Sequence, residues 1–283
     1  MAREYVEKNT AEMVRCLKEL VAIPGIFEDA PSKGAPFGKN IQKSLEYVLR
    51  MGQQMGFQVK NYDGYAGEIT AGEGNRMIGI LCHTDVVSAG EGWNTDPFDP
   101  VEKDGKLYGR GAADMKGAVA AFTVAAHRYA VENGKNFAGD VYVAGVVHEE
   151  CFEGVAARKI SEKVKPDYVV IGEASEMNLK VGQRGRAEIV VETFGVPAHS
   201  ANPEKGVNAV YKMCEAIQAI REIEPPVQDK LGKGILELTD VKSSPYPGAS
   251  VVPEYCRATY DRRLLVGETK ESVLQPIIEK MEE

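Results

Sequence analysis

The sequence lacks the cysteine pairs that a disulfide scaffold or a thiolate zinc site requires. Its five cysteines are widely spaced and no two form a C-x-x-C pair, so reduced thiols are the expected state. Long apolar runs are also missing, because no stretch approaches the roughly 18 residues that a membrane span requires. The N-terminal stretch MAREYVEKNT carries charges of both signs and no apolar core, unlike a secretory signal. We therefore expect a cytoplasmic protein that does not associate with a membrane.

Clusters of basic residues are equally scarce. The 283 residues include 34 lysines and arginines against 42 aspartates and glutamates, which gives a net charge of -8 at pH 7. Such an acidic chain is not suited to binding nucleic acid or an anionic membrane through bulk electrostatics. The hydrophobic share of 43% and the charged share of 27% are those of ordinary globular proteins. The length suffices for one large domain or two ordinary ones.

The pattern of apolar residues in the first two thirds of the chain predicts alternating helices and strands. The predicted helices cover 10–22, 38–56, 117–131 and 153–164, and the predicted strands cover 57–61, 67–71, 76–82, 139–147 and 167–172. Runs such as 76–82 are nearly all apolar, as expected of strands buried on both faces. This alternation predicts an α/β domain with a mostly parallel sheet over residues 1–184.

After residue 184 the apolar pattern changes to the alternation typical of a sheet with one solvated face. Strands are predicted at 186–194, 234–241 and 255–262, and helices at 205–222 and 268–282. The order β-α-β-β-α is that of a ferredoxin-like split βαβ unit without its last strand. We therefore predict a second, α+β domain over 185–283 and a chain that is C-terminally truncated.

Imidazole and carboxylate side chains follow the predicted buried strands, at the edge where open α/β sheets bind ligands. These side chains are His83, Asp85, Glu149, Glu150 and Glu173. Asp114 joins them from the Gly-rich turn before the helix 117–131. Adjacent carboxylates at the end of a buried strand are costly unless a positive charge neutralises them. The set predicts a site for two divalent metals bridged by a carboxylate. Nitrogen and oxygen ligands suit zinc, with cobalt or manganese as substitutes.

Each of these segments has a structural alternative when it is taken alone. His83 and Asp85 are compatible with an incidental His-x-Asp, Asp114 with a helix cap, and the acidic residues with solvated turns. The Gly-rich turn lacks the Walker spacing, and His148-Glu149-Glu150 lacks the second histidine of an HExxH zinc helix. Only the recurrence of such residues at successive strand ends favours a metal site.

The ordered motifs HTDVV, GW-x-x-DPF, YGRGAADMKG, HEECFEG and GEAS resemble the co-catalytic zinc metallopeptidases. That family includes aminoacylase, acetylornithine deacetylase, succinyl-diaminopimelate desuccinylase and carboxypeptidase G. The resemblance covers about residues 70–264, because GVPAHS and VVPEYCRATYDRRL are similar to the family's lid and dimerisation domain. The stretch DRRLLVGETKE is similar to a branch linked to selenium-metabolism hydrolases.

The resemblance implies a role for each residue at the strand ends. His83 and Glu173 would bind one metal, Glu150 the other, and Asp114 would bridge both. Asp85 would orient the His83 imidazole. Glu149 would be the general base that takes a proton from metal-bound water. A cis peptide is implied between Asp114 and Met115.

For the second domain the resemblance implies substrate contacts and a homodimer. His199 would reach across the dimer interface to stabilise an oxyanion. Arg263 would bind a substrate carboxylate. Ser250 stands where many members carry a substrate-binding Asn. Two further departures are that His148 replaces an Asp before the general base, and that the family's C-terminal histidine ligand has no counterpart here.

These residues predict a metal-dependent hydrolase that cleaves the amide bond of an N-acyl amino acid or a small peptide. One alternative is a catalytically silent binding or assembly protein on the same scaffold, or an inactive fragment of the hydrolase. The other is a serine hydrolase built on His199-Ser200, which adjacent residues are poorly placed to form.

Overall fold

The structure, a computed structural model, describes residues 2–134, 140–151 and 154–282. The chain divides into two compact units, Met1–Asn178 and Leu179–Glu283. The boundary predicted near residue 184 lies a few residues further along the chain. The described residues contain no helix that is both long enough and apolar enough to cross a membrane.

Within its described residues, the first unit contains four α-helices and seven strands. They are α1 (Ala2–Val21), α2 (Lys39–Gln54), β1 (Gln58–Tyr62), β2 (Ala66–Ala71), β3 (Met77–His83), β4 (Val101–Lys103), β5 (Lys106–Tyr108), α3 (Gly117–Glu132), β6 (Asp140–Val146), α4 (Val155–Ser161) and β7 (Tyr168–Ile171). Each helix and strand that the sequence predicts here is present, although α1 starts earlier and α4 is shorter than predicted. The hairpin of β4 and β5 was not predicted.

The main sheet of this unit has the strand order β1-β2-β6-β3-β7. β3 pairs in parallel with both β6 and β7, whereas β2 is antiparallel to both β1 and β6. The sheet is therefore mixed where a mostly parallel one was predicted. The physical reason is the tight turn after β1, in which Asp63 and Gly64 have positive φ, so the chain folds straight back as a hairpin.

The core of the first unit lies between the sheet and helices α1, α2 and α3. Its fully buried members include Cys16, Leu20, Val48, Ile69 and Val119. Close approach of α2 to the sheet depends on Gly52, because a Cβ added there would lie 2.9 Å from the Ile69 side chain. The helices thus hold one face of the sheet in place.

The three parallel strands bring their carboxyl ends to one edge of the sheet. In the parallel register His83 of β3 lies beside Val146 of β6, and Leu81 lies beside Ile171 of β7. The residues that follow these three strands therefore emerge together. This register is what positions the candidate site.

The second unit is an antiparallel sheet with two helices. Its elements are β8 (Gly185–Phe194), α5 (Ala209–Arg221), β9 (Val227–Gln228), β10 (Gly232–Lys233), β11 (Ile235–Ser244), β12 (Tyr255–Leu264) and α6 (Lys270–Glu282). The strand order β11-β12-β8 fits the predicted ferredoxin-like arrangement, with the small β9–β10 hairpin added. Helix α5 begins later than predicted because Asn208 caps it, with Oδ1 accepting a hydrogen bond from Val210 N at 2.8 Å.

Candidate metal centre

Strand β3 delivers His83 to the carboxyl edge of the sheet inside a fully buried segment. His83, Thr84 and Asp85 are all at most 2% exposed. Thr84 N donates to Val146 O at 3.0 Å, and Ser44 Oγ donates to Thr84 O at 2.8 Å. The chain leaving β3 is thus fixed to both β6 and α2. An imidazole held this way has its orientation set by the fold.

Asp114 lies in a tight turn, residues 112–116, that precedes α3. Gly111 before the turn has φ of 80°, and a Cβ added there would lie 2.4 Å from Val86 Cγ1. The Asp114–Met115 peptide bond is cis, as the resemblance implies. The Met115 side chain is buried, and its Sδ accepts a hydrogen bond from His83 N at 3.3 Å. The turn therefore packs directly against the end of β3.

Four carboxylates meet around the outward nitrogen of His83. Its Nε2 lies 3.1 Å from Asp114 Oδ1, 3.8 Å from Glu173 Oε1 and 3.9 Å from Glu149 Oε2. Two groups of three residues place their ligand atoms within 4.8 Å of one another. One is His83, Glu149 and Glu173, and the other is His83, Asp114 and Glu150. The structure thus brings together every residue predicted at the strand ends.

Asp85 holds the other side of the imidazole. His83 Nδ1 lies 3.0 Å from the Asp85 backbone oxygen and 3.6 Å from Asp85 Oδ1. The second carboxylate oxygen, Oδ2, accepts a hydrogen bond from Glu150 N at 3.1 Å. Asp85 therefore contacts both the imidazole and the segment that carries the paired glutamates.

The electrostatics of this cluster favour positive charge. Burial alone would lower the pKa of His83, but the hydrogen bond to Asp114 and the charges of Asp85, Glu149 and Glu173 raise it to about 9. The same hydrogen bond, opposed by burial and helped by the Arg110 charge, lowers the pKa of Asp114. Burial raises the pKa of Glu150, and the Asp114 charge adds to this. A surplus of carboxylates around one imidazole is a site that attracts cations.

The donor set matches the chemistry of a divalent metal. It consists of one imidazole nitrogen and carboxylate oxygens, with no thiolate in either ligand group. Each group contains His83 and no other histidine. Glu149 belongs to the first group, so the position of its carboxylate is compatible with a metal ligand as well as with a general base.

His148 occupies a position that sequence reasoning did not foresee. Its backbone has φ of 66°, and its ring stacks on Phe37 with centroids 4.2 Å apart and an angle of 19° between the planes. Phe27 contacts the same ring edge-on at 4.9 Å. The residue before Glu149 is thus held between two aromatic side chains.

The remaining candidate residues lie in the second unit. His199 is exposed and pairs with Val251, and its Nδ1 accepts a hydrogen bond from Ala201 N at 3.1 Å. Ser250 O accepts a hydrogen bond from Ser200 N at 2.9 Å, which joins the two loops that carry His199 and Ser250. This unit therefore places His199 and Ser250 on adjoining loops.

Arg263 belongs to a charged cluster on the sheet of the second unit. Its Nε donates to Asp261 Oδ2 at 2.7 Å, and Arg186 Nε donates to Asp261 Oδ1 at 2.7 Å. One carboxylate thus orients two guanidinium groups. Sequence reasoning named Arg263 but not its partner Asp261.

The sequence analysis assigned no role to two cationic residues near Asp114, Arg110 and Lys116. Arg110 donates to Ala89 O at 2.9 Å, and its guanidinium lies over the Trp93 ring at 5.4 Å. Lys116 is fully buried and donates to Leu20 O and Ile23 O. The signal that could have revealed them is that a lysine and an arginine flank the only acidic residue in YGRGAADMKG.

Comparison with known proteins gives a family match and a clear structural likeness. Residues 79–237, more than half of the chain, match the family model described as Peptidase family M20/M25/M40. An uncharacterized protein of Escherichia coli (strain K12), YgeY, is 31% identical over an alignment of 281 residues, and the match covers 97% of this chain and 66% of YgeY. YtjP, a proposed dipeptidase of Bacillus subtilis (strain 168), is 41% identical over 119 residues, or 41% of this chain and 26% of YtjP.

Among solved structures, the dipeptidase Dug1p of Saccharomyces cerevisiae superposes with a TM-score of 0.76 at 15% identity. The match covers 99% of this chain and 74% of Dug1p. At that identity the likeness establishes a shared fold. The chain spans just under two thirds of the length of YgeY, and its shorter match to YtjP spans about a quarter of that protein.

Proposed function

Because the chain belongs to peptidase family M20/M25/M40, we propose that it acts as a metal-dependent hydrolase of amide bonds in small peptides. The observation that carries this proposal is the cluster of four acidic residues around the buried His83. A dipeptide is the first substrate class to test, because YtjP is named as a dipeptidase. An N-acyl amino acid is the second, because the motifs resemble aminoacylase and related deacylases.

Four residues of the first unit would hold the metals. We assign His83 and Glu173 to one divalent ion, Glu150 to the other and Asp114 as the bridge. Zinc is the proposed metal, with cobalt or manganese as substitutes. When bound, the ions would supply Lewis acidity and lower the pKa of a bound water. This assignment follows the resemblance, and the two ligand groups around His83 are compatible with it.

Glu149 is proposed as the general base. It is partly exposed, and its Oε2 lies 3.9 Å from His83 Nε2, so it reaches the same space as the proposed ligands. A carboxylate there can accept a proton from water and pass it to the leaving amine. Asp85 would keep the imidazole oriented throughout, because its contact with His83 lies on the buried side.

The second unit would supply substrate contacts and a dimer. Arg263, oriented by Asp261, is proposed to bind the substrate carboxylate, since a guanidinium matches a carboxylate in shape. His199 is proposed to stabilise the oxyanion in the partner subunit of a homodimer. Ser250 is proposed to line the substrate site where other members carry Asn. The cytoplasm remains the proposed location.

The test compares metal content and hydrolysis in the wild-type chain and in Glu149→Gln. We expect the wild type to retain about two zinc ions after dialysis and to hydrolyse members of a dipeptide panel. Glu149→Gln should keep the metal and lose about 10²–10⁴-fold in kcat, which is what proton transfer by a positioned base contributes. Glu73→Gln is the matched control, because Glu73 is exposed and lies in the loop before β3, at the opposite end of that strand from His83.

The outcomes separate the alternatives. A wild type that binds no zinc, cobalt or manganese would contradict the proposed function. Metal binding without hydrolysis of any dipeptide or N-acyl amino acid would favour the silent binding protein or the inactive fragment of the hydrolase. Full activity in Glu149→Gln would remove Glu149 from its proposed role.

A further inference from the structure

Lys116 is a fully buried lysine two residues after Asp114. Its side chain is 0% exposed and is the largest of the fully buried side chains in the described part of the molecule. Its Nζ donates to Ile23 O at 2.7 Å and to Leu20 O at 3.1 Å. A lysine is almost never fully buried unless it is paired. Here the partners of the ammonium are two backbone carbonyl groups.

One acceptor, Leu20 O, lies in the last turn of α1, and the other, Ile23 O, lies two residues beyond the end of the helix. The last carbonyls of a helix have no partner within the helix, and the helix dipole makes that end attractive to a cation. Leu20 and Val21 are fully buried, whereas Ala22 is exposed and Ile23 is partly buried. Leu20 O also accepts a hydrogen bond from Ile23 N at 3.2 Å, so the Lys116 ammonium is a second donor to Leu20 O and a donor to Ile23 O.

The same residue closes the turn that carries Asp114. Lys116 N donates to Gly111 O at 2.9 Å, so the backbone from 111 to 116 forms a closed loop with Asp114 inside it. The loop leaves no room at its two ends. A Cβ at Gly117 would lie 2.5 Å from Ala112 O, and one at Gly111 would lie 2.4 Å from Val86 Cγ1.

Lys116 thus joins two segments almost a hundred residues apart in the chain. Its backbone closes the Asp114 loop, and its side chain ties that loop to the end of α1. Met115, between Asp114 and Lys116, contacts His83 N through Sδ. A shift of the loop would therefore move the Asp114 carboxylate relative to the His83 imidazole.

We propose that Lys116 is a positioning residue, whose ammonium fixes the Asp114 loop against the C-terminal end of α1 and so sets the distance between Asp114 and His83. A simple helix cap would stabilise α1 without influencing Asp114. The positioning role predicts local loosening of the loop when the ammonium is removed. Only the second of the two readouts below rests on the proposed function.

The first readout is hydrogen exchange in the metal-free chain. In Lys116→Met, which keeps an unbranched apolar side chain and removes the donors, amides in 109–117 should lose at least tenfold in protection. Leu45→Ala, a change at a fully buried position of α2, is the control because it lowers stability without touching the loop. Its amides in 109–117 should change no more than those of the sheet.

The second readout is zinc affinity by isothermal titration calorimetry. Lys116→Met should bind zinc at least tenfold more weakly than the wild type, and Leu45→Ala should bind it as the wild type does. If Lys116→Met does not fold, Lys116→Gln replaces it, because an amide N–H can still donate to one carbonyl. The same directions are expected there, with smaller changes.

Two results would overturn the inference. One is exchange in 109–117 that speeds up equally in Lys116→Met and Leu45→Ala, which would make Lys116 a helix cap only. The other is wild-type zinc affinity in a folded Lys116→Met or Lys116→Gln. A wild type that binds no zinc contradicts the proposed function, and the exchange comparison then decides the role of Lys116 by itself.

Discussion

The Oδ2 atom of Asp85 accepts a hydrogen bond from the backbone N–H of Glu150 at 3.1 Å. A buried carboxylate at the end of β3 thereby holds the segment that follows β6. The same residue contacts His83 Nδ1 through its backbone oxygen at 3.0 Å. Its side-chain Oδ1 lies 3.6 Å from the same nitrogen, so one residue couples the candidate imidazole ligand to a candidate carboxylate ligand that follows another strand.

Replacing Asp85 with Asn tests this coupling. The amide keeps the volume of the carboxylate and removes its charge, so the imidazole and Glu150 lose a shared anionic partner. We expect the zinc affinity of Asp85→Asn to fall by about 10- to 100-fold, the usual cost of losing such an orienting group. Isothermal titration calorimetry measures the change.

Asp104→Asn is the matched control for that variant. Asp104 is an exposed residue with φ of 53°, a conformation that Asn also tolerates, in the hairpin turn between β4 and β5. Its zinc affinity should equal that of the wild type. Equal affinity in Asp85→Asn would show that Asp85 does not orient the site.

The pKa of His83 predicts how the stability of the metal-free chain depends on pH. The folded pKa of about 9 lies above the ordinary value of 6.5, so the folded state binds the proton more tightly than the unfolded state. This contribution to stability is fully present below pH 6.5 and is lost as the pH rises through 9. Its size is on the order of 3 kcal/mol, from about 1.4 kcal/mol for each pKa unit.

The measurement is the free energy of unfolding in urea with a chelator present, from pH 6 to pH 9.5. Comparison of the wild type with His83→Gln isolates the contribution of this residue from other titrating groups. The difference between the two should shrink as the pH rises. The stabilisation of the folded chain by added zinc should instead increase as the pH rises, because zinc binds the neutral imidazole and competes with the proton. A difference that is constant with pH contradicts the prediction.

Alanine substitutions at two glycines with similar φ distinguish the stability cost of close packing from that of backbone strain. Gly111 has φ of 80° and a Cβ there would lie 2.4 Å from Val86 Cγ1, whereas Gly105 has φ of 72° and nothing within 4 Å. Gly105→Ala should lose about 1–2 kcal/mol of stability from the left-handed conformation alone. Gly111→Ala should lose roughly 2–4 kcal/mol, because overpacking adds to the strain.

Urea denaturation of the two variants and the wild type measures these losses. Gly111→Ala should also weaken zinc binding, because the Asp114 loop has to shift to admit the methyl group. Gly105→Ala should leave it unchanged. Equal losses of stability in the two variants would mean that Val86 gives way and that the close contact carries no cost.

The sequence by itself determined which residues could meet. Apolar runs predicted strands β3, β6 and β7, and a parallel sheet brings the carboxyl ends of its strands to one edge. The residues that follow these strands therefore meet wherever the strands pair. Local order also shows in the second unit, where the predicted β-α-β-β-α sequence is present.

Only the tertiary structure decided how those residues are held. Whether Lys116 is buried, whether His148 stacks on Phe37, and whether Asp85 reaches Glu150 all depend on segments far apart in the chain. The position of β2 in the sheet also depends on a distant segment. The turn at Asp63-Gly64 permits the hairpin of β1 and β2, but β2 joins the main sheet by pairing antiparallel with β6. Periodicity and motifs report local preference, whereas the partners of a buried polar group are set by which distant segments pack together.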